Sequence, residues 1–160
     1  MIDMNNFYQS EKQLTEKDLQ TCEQTLGITL PDSLKALYLR CNGGLVYKDC
    51  FTLPNLVDKL KIALFMPIKY NLASDHDPDF LIEGTVQQLW QQHKLEKTLL
   101  PFALDYSDSF ICINLNNGAI YRYCLWDWDD SLTHEQNFTE NSDYLSASLD
   151  DFLNALTEDK

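Results

Sequence analysis

The sequence predicts a single α+β domain with helices near both ends and in the middle, and a β-rich stretch near residues 100–125. Three observations carry that prediction. Two segments place apolar residues at helical spacing: Leu34, Leu37, Tyr38 and Cys41 early, and Leu149, Phe152, Leu153 and Leu156 at the end. Between them, residues 110–115 and 119–125 read as strands joined by Asn116-Asn117-Gly118, a hairpin signal because Asn-Gly tolerates positive φ. A length of 160 residues and an apolar fraction of 44% suit one folded domain spanning 1–160, its core at about 14–156.

Taken in order, residues 1–13 read as a loose lead-in with Phe7 and Tyr8 as candidate anchors. Thr15 and Asp18 are spaced as a capping box, and Leu19, Cys22 and Leu26 give the first helix one apolar face. Gly27 breaks it. Pro31 suits a first helical turn, where its missing N–H costs nothing. Asn42-Gly43-Gly44 reads as the left-handed stop of the second helix. Residues 45–47 and 50–53 read as short strands paired through Lys48-Asp49; residues 55–64 fit either a short helix or a loop. Residues 65–68 read as an edge strand because of Pro67.

Residues 70–84 are polar and read as a surface loop carrying Asp75, Asp77 and Asp79. Val86, Leu89, Trp90 and His93 mark a third helix from about Thr85. Residues 100–104 form one more candidate strand. In residues 110–115, Ile111, Ile113 and Leu115 share one face and Phe110 and Cys112 the other, which predicts a central strand covered on both sides. Ser148 is the expected N-cap of the last helix, with Asp151 at N3.

Charge separates the chain into unequal parts. The formal net charge is −13, yet residues 1–102 hold 13 acids and 10 bases. Residues 103–160 hold 12 acids and two bases, Arg122 and Lys160. Such a surface repels nucleic acid and anionic membranes and attracts a basic partner; the same acidity also serves solubility. No apolar run approaches the ~20 residues of a membrane span, and the N-terminus has no secretory signature. Five cysteines without a Cys-x-x-Cys pair are expected as free, mostly buried thiols of a cytoplasmic protein.

Catalytic signatures are missing. The five glycines form no phosphate-cradling pattern, no G-x-S-x-G elbow occurs, and the three histidines are scattered. Asp75-His76-Asp77-Pro78-Asp79 invites a calcium-loop test, but the sixth and twelfth positions hold Phe80 and Val86 where Gly and Glu are required. No metal and no cofactor are expected. Trp126-Asp127-Trp128-Asp129-Asp130 is the other conspicuous cluster. Strand alternation would put both Trp on one face. They either pack against the C-terminal helix or serve, beside the acids, as interface anchors.

The run Leu26-Gly27-Ile28-Thr29-Leu30-Pro31, one short helix, then Asn42-Gly43-Gly44 resembles the LP…NGG signature of the SUKH superfamily, the Smi/Knr-type domains best known from bacterial toxin immunity. The resemblance continues through Leu99-Leu100-Pro101-Phe102-Ala103-Leu104-Asp105, Gly118, Ile120-Tyr121, residues 126–130 and residues 148–156. Tyr106-Ser107-Asp108 departs from the family, which has glycines there, and residues 55–84 match less well. The resemblance implies a twisted, largely antiparallel sheet with packed helices, and a non-enzymatic binding module. Its bacterial members neutralise a cognate toxin, often a nuclease; eukaryotic relatives regulate cell-wall synthesis and signalling. The expected partner is therefore a basic toxin or, in the alternative, a non-toxin intracellular protein. Asp105, Asp108, Trp126, Asp127, Trp128, Asp129 and Asp130, with Asp75, Asp77 and Asp79, are the candidate contact residues. Leu30, Pro31, Asn42, Gly43 and Gly44 are the structural motif.

Overall fold

A computed structural model describes residues 4–70, 81–92 and 94–158; the Asp75, Asp77, Asp79 cluster and His93 lie outside them. The lead-in is more ordered than its sequence suggests. A 3-10 turn at Met4–Asn6 runs into β1 (Phe7–Tyr8), which pairs antiparallel with β2 (Leu45–Val46). The two candidate anchors do hold it: the Phe7 ring meets Phe65 edge-on at 5.1 Å, and Tyr8 stacks on Tyr47 at 4.3 Å.

Helix α1 (Glu16–Leu26) opens with the expected capping box. The Asp18 N–H donates to Thr15 Oγ1 at 3.2 Å, and the Thr15 N–H donates to Asp18 Oδ2 at 2.9 Å. Leu19, Cys22 and Leu26 are buried, and Gly27 ends the helix at φ 68°. Helix α2 (Asp32–Arg40) begins one residue after Pro31, which stays extended at the cap position. Leu30, Leu34, Leu37 and Tyr38 are all buried, and the Tyr38 hydroxyl donates to the Met66 carbonyl at 2.7 Å.

The end of α2 corrects the reading of Asn42-Gly43-Gly44. The helix stops at an extended Cys41, not in a left-handed cap, and Asn42 has no positive φ. Asn42 is instead a buried staple: its Nδ2 donates to the carbonyls of Lys12 and Ile68, and its Oδ1 accepts from the Ile68 N–H. The glycines do take positive φ, 68° at Gly43 and 111° at Gly44, and both also sit in close approach. A Cβ on Gly43 would lie 2.6 Å from the Phe65 carbonyl oxygen, and one on Gly44 2.7 Å from that of Tyr8. Gly44 and Phe65 exchange both backbone hydrogen bonds at 2.9 Å.

Six strands form one curled antiparallel sheet in the order β3-β4-β5-β6-β7-β8: Cys50–Thr52, Lys59–Phe65, Leu99–Asp105, Phe110–Asn114, Ile120–Tyr123 and Ser142–Ser146. Two expectations fail here. Residues 45–47 and 50–53 do not pair with each other; β2 pairs with β1, and β3 with β4. The strand expected at 65–68 lies earlier, within the stretch read as helix or loop, and is interior; Pro67 falls beyond it. Central β5 carries Pro101 opposite Cys112, next to a register shift between Pro101 and Ala103.

The β6–β7 hairpin forms where expected, but only Gly118 takes positive φ, at 80°. Asn114 closes the loop, its Oδ1 accepting from the N–H groups of Asn116 and Asn117. Strand β7 ends two residues before the expected 125. Helix α3 (Ile82–Gln91) starts three residues before Thr85. Helix α5 (Leu149–Asn154) is capped by Ser148 Oγ, which accepts from the Asp151 N–H at 3.1 Å.

Strand β6 is covered on both faces. Ile111 and Ile113 join the main core with Phe65, Phe102 and Phe152; Cys112 joins a smaller cluster with Leu89, Leu95, Leu99 and Tyr123. All five cysteines are free, and all but Cys124 are buried. Among the described residues no helix is long and apolar enough to cross a membrane. The pairings Thr52 with Lys59, Ile62 with Asp105, and Phe110 with Tyr123 bring the β3–β4 turn, the β5–β6 turn and the segment after β7 to the same end of the sheet.

Candidate partner-binding surface

The β5–β6 turn is built around Asp105. Its Oδ1 accepts from the N–H groups of Ser107 and Ser109, each at 2.9 Å, and its Oδ2 faces Arg122 Nη1 at 3.9 Å. Asp105 is 2% exposed and shapes the turn from below. The turn lifts Tyr106 into solvent, 67% exposed, with Lys61 Nζ 5.6 Å from its ring centroid. Asp108 is held at φ 61°, a left-handed backbone that few non-glycine residues adopt.

The second acidic element leaves β7 at Cys124. It is a 3-10 turn at Leu125–Asp127 followed by an irregular stretch, so the two Trp side chains do not alternate along a strand. Trp126 is 75% exposed. Trp128 lies edge-on to His134 at 5.2 Å, and its Nε1 donates to Asp130 Oδ1 at 2.8 Å. Its neighbour is therefore α4 (His134–Asn141), an element that the apolar pattern did not reveal.

Asn137 holds this stretch in place. Fully buried, it accepts from the Asp129 N–H through Oδ1, and donates to the carbonyls of Asp129 and Thr133 through Nδ2. Asp129 Oδ1 accepts from Ser131 Oγ and N–H, which lowers its pKa and keeps it ionised. Asn141 Nδ2 donates to the Asp127 carbonyl. Asn137 lay outside the sequence reading because its helix is polar nearly all round. The readable signal was Thr133 with Gln136, a second capping box, which the structure contains.

A groove of about 380 Å³ joins the two elements; Leu89, Leu104, Asp108, Phe110, Leu125 and Trp126 line it. Candidate residues from both segments, Asp108 and Trp126, thus meet at one site. Asp127, Asp129 and Asp130 lie on the same segment as Trp126 and are all exposed. Arg122 does not offset them. Its guanidinium donates twice to Asp143 Oδ2, at 2.7 and 3.0 Å, and faces Asp105 with Nη1. Lys94 also lines the groove and is the base nearest at hand there. Leu30, Pro31, Asn42, Gly43 and Gly44 take no part; they belong to the scaffold around α2. No cluster of His, Cys, Asp and Glu among the described residues could hold a metal.

Fold and surface together define an α+β domain: a curled antiparallel sheet flanked by helices, with acids and aromatics on its loops. The chain belongs to the SMI1 / KNR4 family (SUKH-1), whose model matches residues 13–155. That family includes toxin immunity proteins, and its domains are generally binding modules without enzymatic activity. A crystal structure of a protein from Pseudomonas syringae pv. tomato is similar at 15% identity, covering 82% of this chain and 83% of that one, with a TM-score of 0.46. The curated proteins contain no match.

Proposed function

We propose that this chain is an immunity protein that binds a basic bacterial toxin, such as a nuclease effector, and neutralises it through its acidic second half. The observation that carries the reading is the combination of family membership with the charge pattern: residues 103–160 hold 12 acids against two bases, and one of those bases, Arg122, is tied to Asp105 and Asp143. A nuclease grips phosphates with Lys and Arg, and an acidic protein competes for that same surface. The cytoplasm is the compartment in which such a protein would act.

Identifying the adjacent reading frame and co-expressing its product with this chain tests the proposal. Restored growth and a complex on gel filtration are expected; unrelieved toxicity without a complex would overturn it. Charge reversal at Asp127, Asp129 and Asp130 together is expected to slow association by about tenfold or more at low salt and to flatten its salt dependence. An unchanged on-rate removes that segment from the interface.

A further inference from the structure

Four of the large apolar side chains that stand exposed, Leu56, Val57, Tyr106 and Trp126, lie on loops at one end of the sheet. Leu56 and Val57 were no part of the acidic surface and carry the new information. They form the tip of the β3–β4 turn and are 81% and 78% exposed. This tip is braced rather than loose. Asn55 Oδ1 accepts from the N–H groups of Val57 and Asp58, and Asn55 Nδ2 donates to Asp58 Oδ2 at 2.7 Å. The Leu53 N–H donates to the Asp58 carbonyl, and the Leu56 N–H to that of Leu53.

Within that frame Leu56 is held at φ 62°, a conformation that a leucine side chain disfavours and that Asn or Gly would adopt more readily. Gln9, Lys69 and Asp108 also take positive φ; what sets this tip apart is that the same turn holds two adjacent aliphatic side chains in water. The opposite end of the sheet shows the contrast: the Asn116-Asn117-Gly118 hairpin is polar throughout.

We infer that the Leu56–Val57 tip, Tyr106 and the Trp126 groove form one docking surface for a basic protein segment that also carries apolar side chains. The inference rests on the binding role proposed above and names the face. Charge selects the occupant. Asp58, Asp108, Asp127, Asp129 and Asp130 accompany the apolar anchors and outnumber Lys59, Lys61 and Lys94, of which Lys61 already faces Asp49 and Tyr106. A second copy of a chain with net charge −13 is repelled from this end, and so is nucleic acid. Exposed Trp and Tyr beside desolvated apolar contacts are the usual energetic centre of such interfaces.

Three short synthetic peptides supply the test: one of alternating basic and apolar residues, one with Glu in place of each base, and one with Ser in place of each apolar residue. Amide shifts of the full chain report where each binds. The basic–apolar peptide is expected to move residues 54–58, 106–109 and 124–130. Leu56→Ser with Val57→Ser, or Trp126→Ala, is expected to weaken it by about tenfold or more, whereas Asn116→Ala leaves it within about twofold. Equal binding of the Ser-containing peptide, a footprint on the 114–119 hairpin, or no binding overturns the inference. Wild-type protein that fails to neutralise the toxin overturns the immunity reading alone, and a misplaced footprint overturns this surface alone.

Discussion

The Asn42 side chain and the Ile68 backbone exchange two hydrogen bonds in the protein interior: Nδ2 donates to the Ile68 carbonyl at 2.9 Å, and Oδ1 accepts from its N–H at 2.8 Å. A third bond from Nδ2 reaches the Lys12 carbonyl at 3.0 Å. One amide thereby ties the end of α2 to the lead-in segment and to the chain beyond β4. Asn42→Ala strands buried polar groups and is expected to cost roughly 2–4 kcal/mol. The midpoint of urea unfolding checks this; an unchanged midpoint would show that water replaces the amide without loss.

Asp105 and Asp127 should respond in opposite ways. Asp105→Ala removes the acceptor of two turn N–H groups and a partner of Arg122, so a loss of about 2–3 kcal/mol in stability is expected. Asp127→Ala changes an exposed carboxylate and should stay within about 0.5 kcal/mol. Chemical denaturation of both variants separates a residue that builds the surface from one that lies on it.

Glu83 gives stability a pH dependence. Burial raises its pKa; its own N–H and the N–H of Lys69, which donates to Oε2 at 2.8 Å, pull the other way without cancelling the effect. Its Oε1 has no partner among the described residues. A raised folded-state pKa means that the site contributes most when protonated and loses that contribution as pH rises through the raised value. Glu83→Gln should therefore match the wild type near pH 4 and melt at a higher temperature by about pH 7. Parallel melting curves across that range would contradict the assignment. Asp18, whose pKa the hydrogen bond from the Lys69 side chain lowers to about 2, is common to both proteins, so its own pH dependence cancels in the comparison.

Thiol reactivity should count the burial of the cysteines. Burial pushes the Cys22 thiol up to about 12 and raises Cys41 and Cys112 as well, while Cys50 is buried in β3. A disulfide-exchange reagent is expected to label Cys124 alone in the native protein and all five thiols after unfolding. Rapid native labelling of more than one would mean that the core opens on the timescale of the assay.

Much of the helical scaffold was legible in the chain. The Thr15–Asp18 box, Gly27, the Leu34–Leu37–Tyr38 stripe and the Ser148 cap are local features, set by hydrogen bonds and periodicities that span at most two turns. The elements that escaped were of another kind. Helix α4 has no continuous apolar stripe, because one buried amide, Asn137, does the anchoring. Strand β4 was obscured by its partners, since a strand's identity depends on which distant segment hydrogen-bonds to it.

The sequence by itself determined the α+β class, the family, the free thiols and the excess of acid in the second half, because composition and short-range pattern carry those properties directly. Only the tertiary structure decided what the marked residues do. It turned Asn42 from a helix stop into a staple, because a side-chain amide finds Ile68, 26 positions along the chain, only after the intervening segment has folded back. It buried Asp105 beneath its turn and brought the loops of Leu56 and Val57, Tyr106 and Trp126 to the same end of the sheet, because strand register, a long-range property, determines which loops share one end.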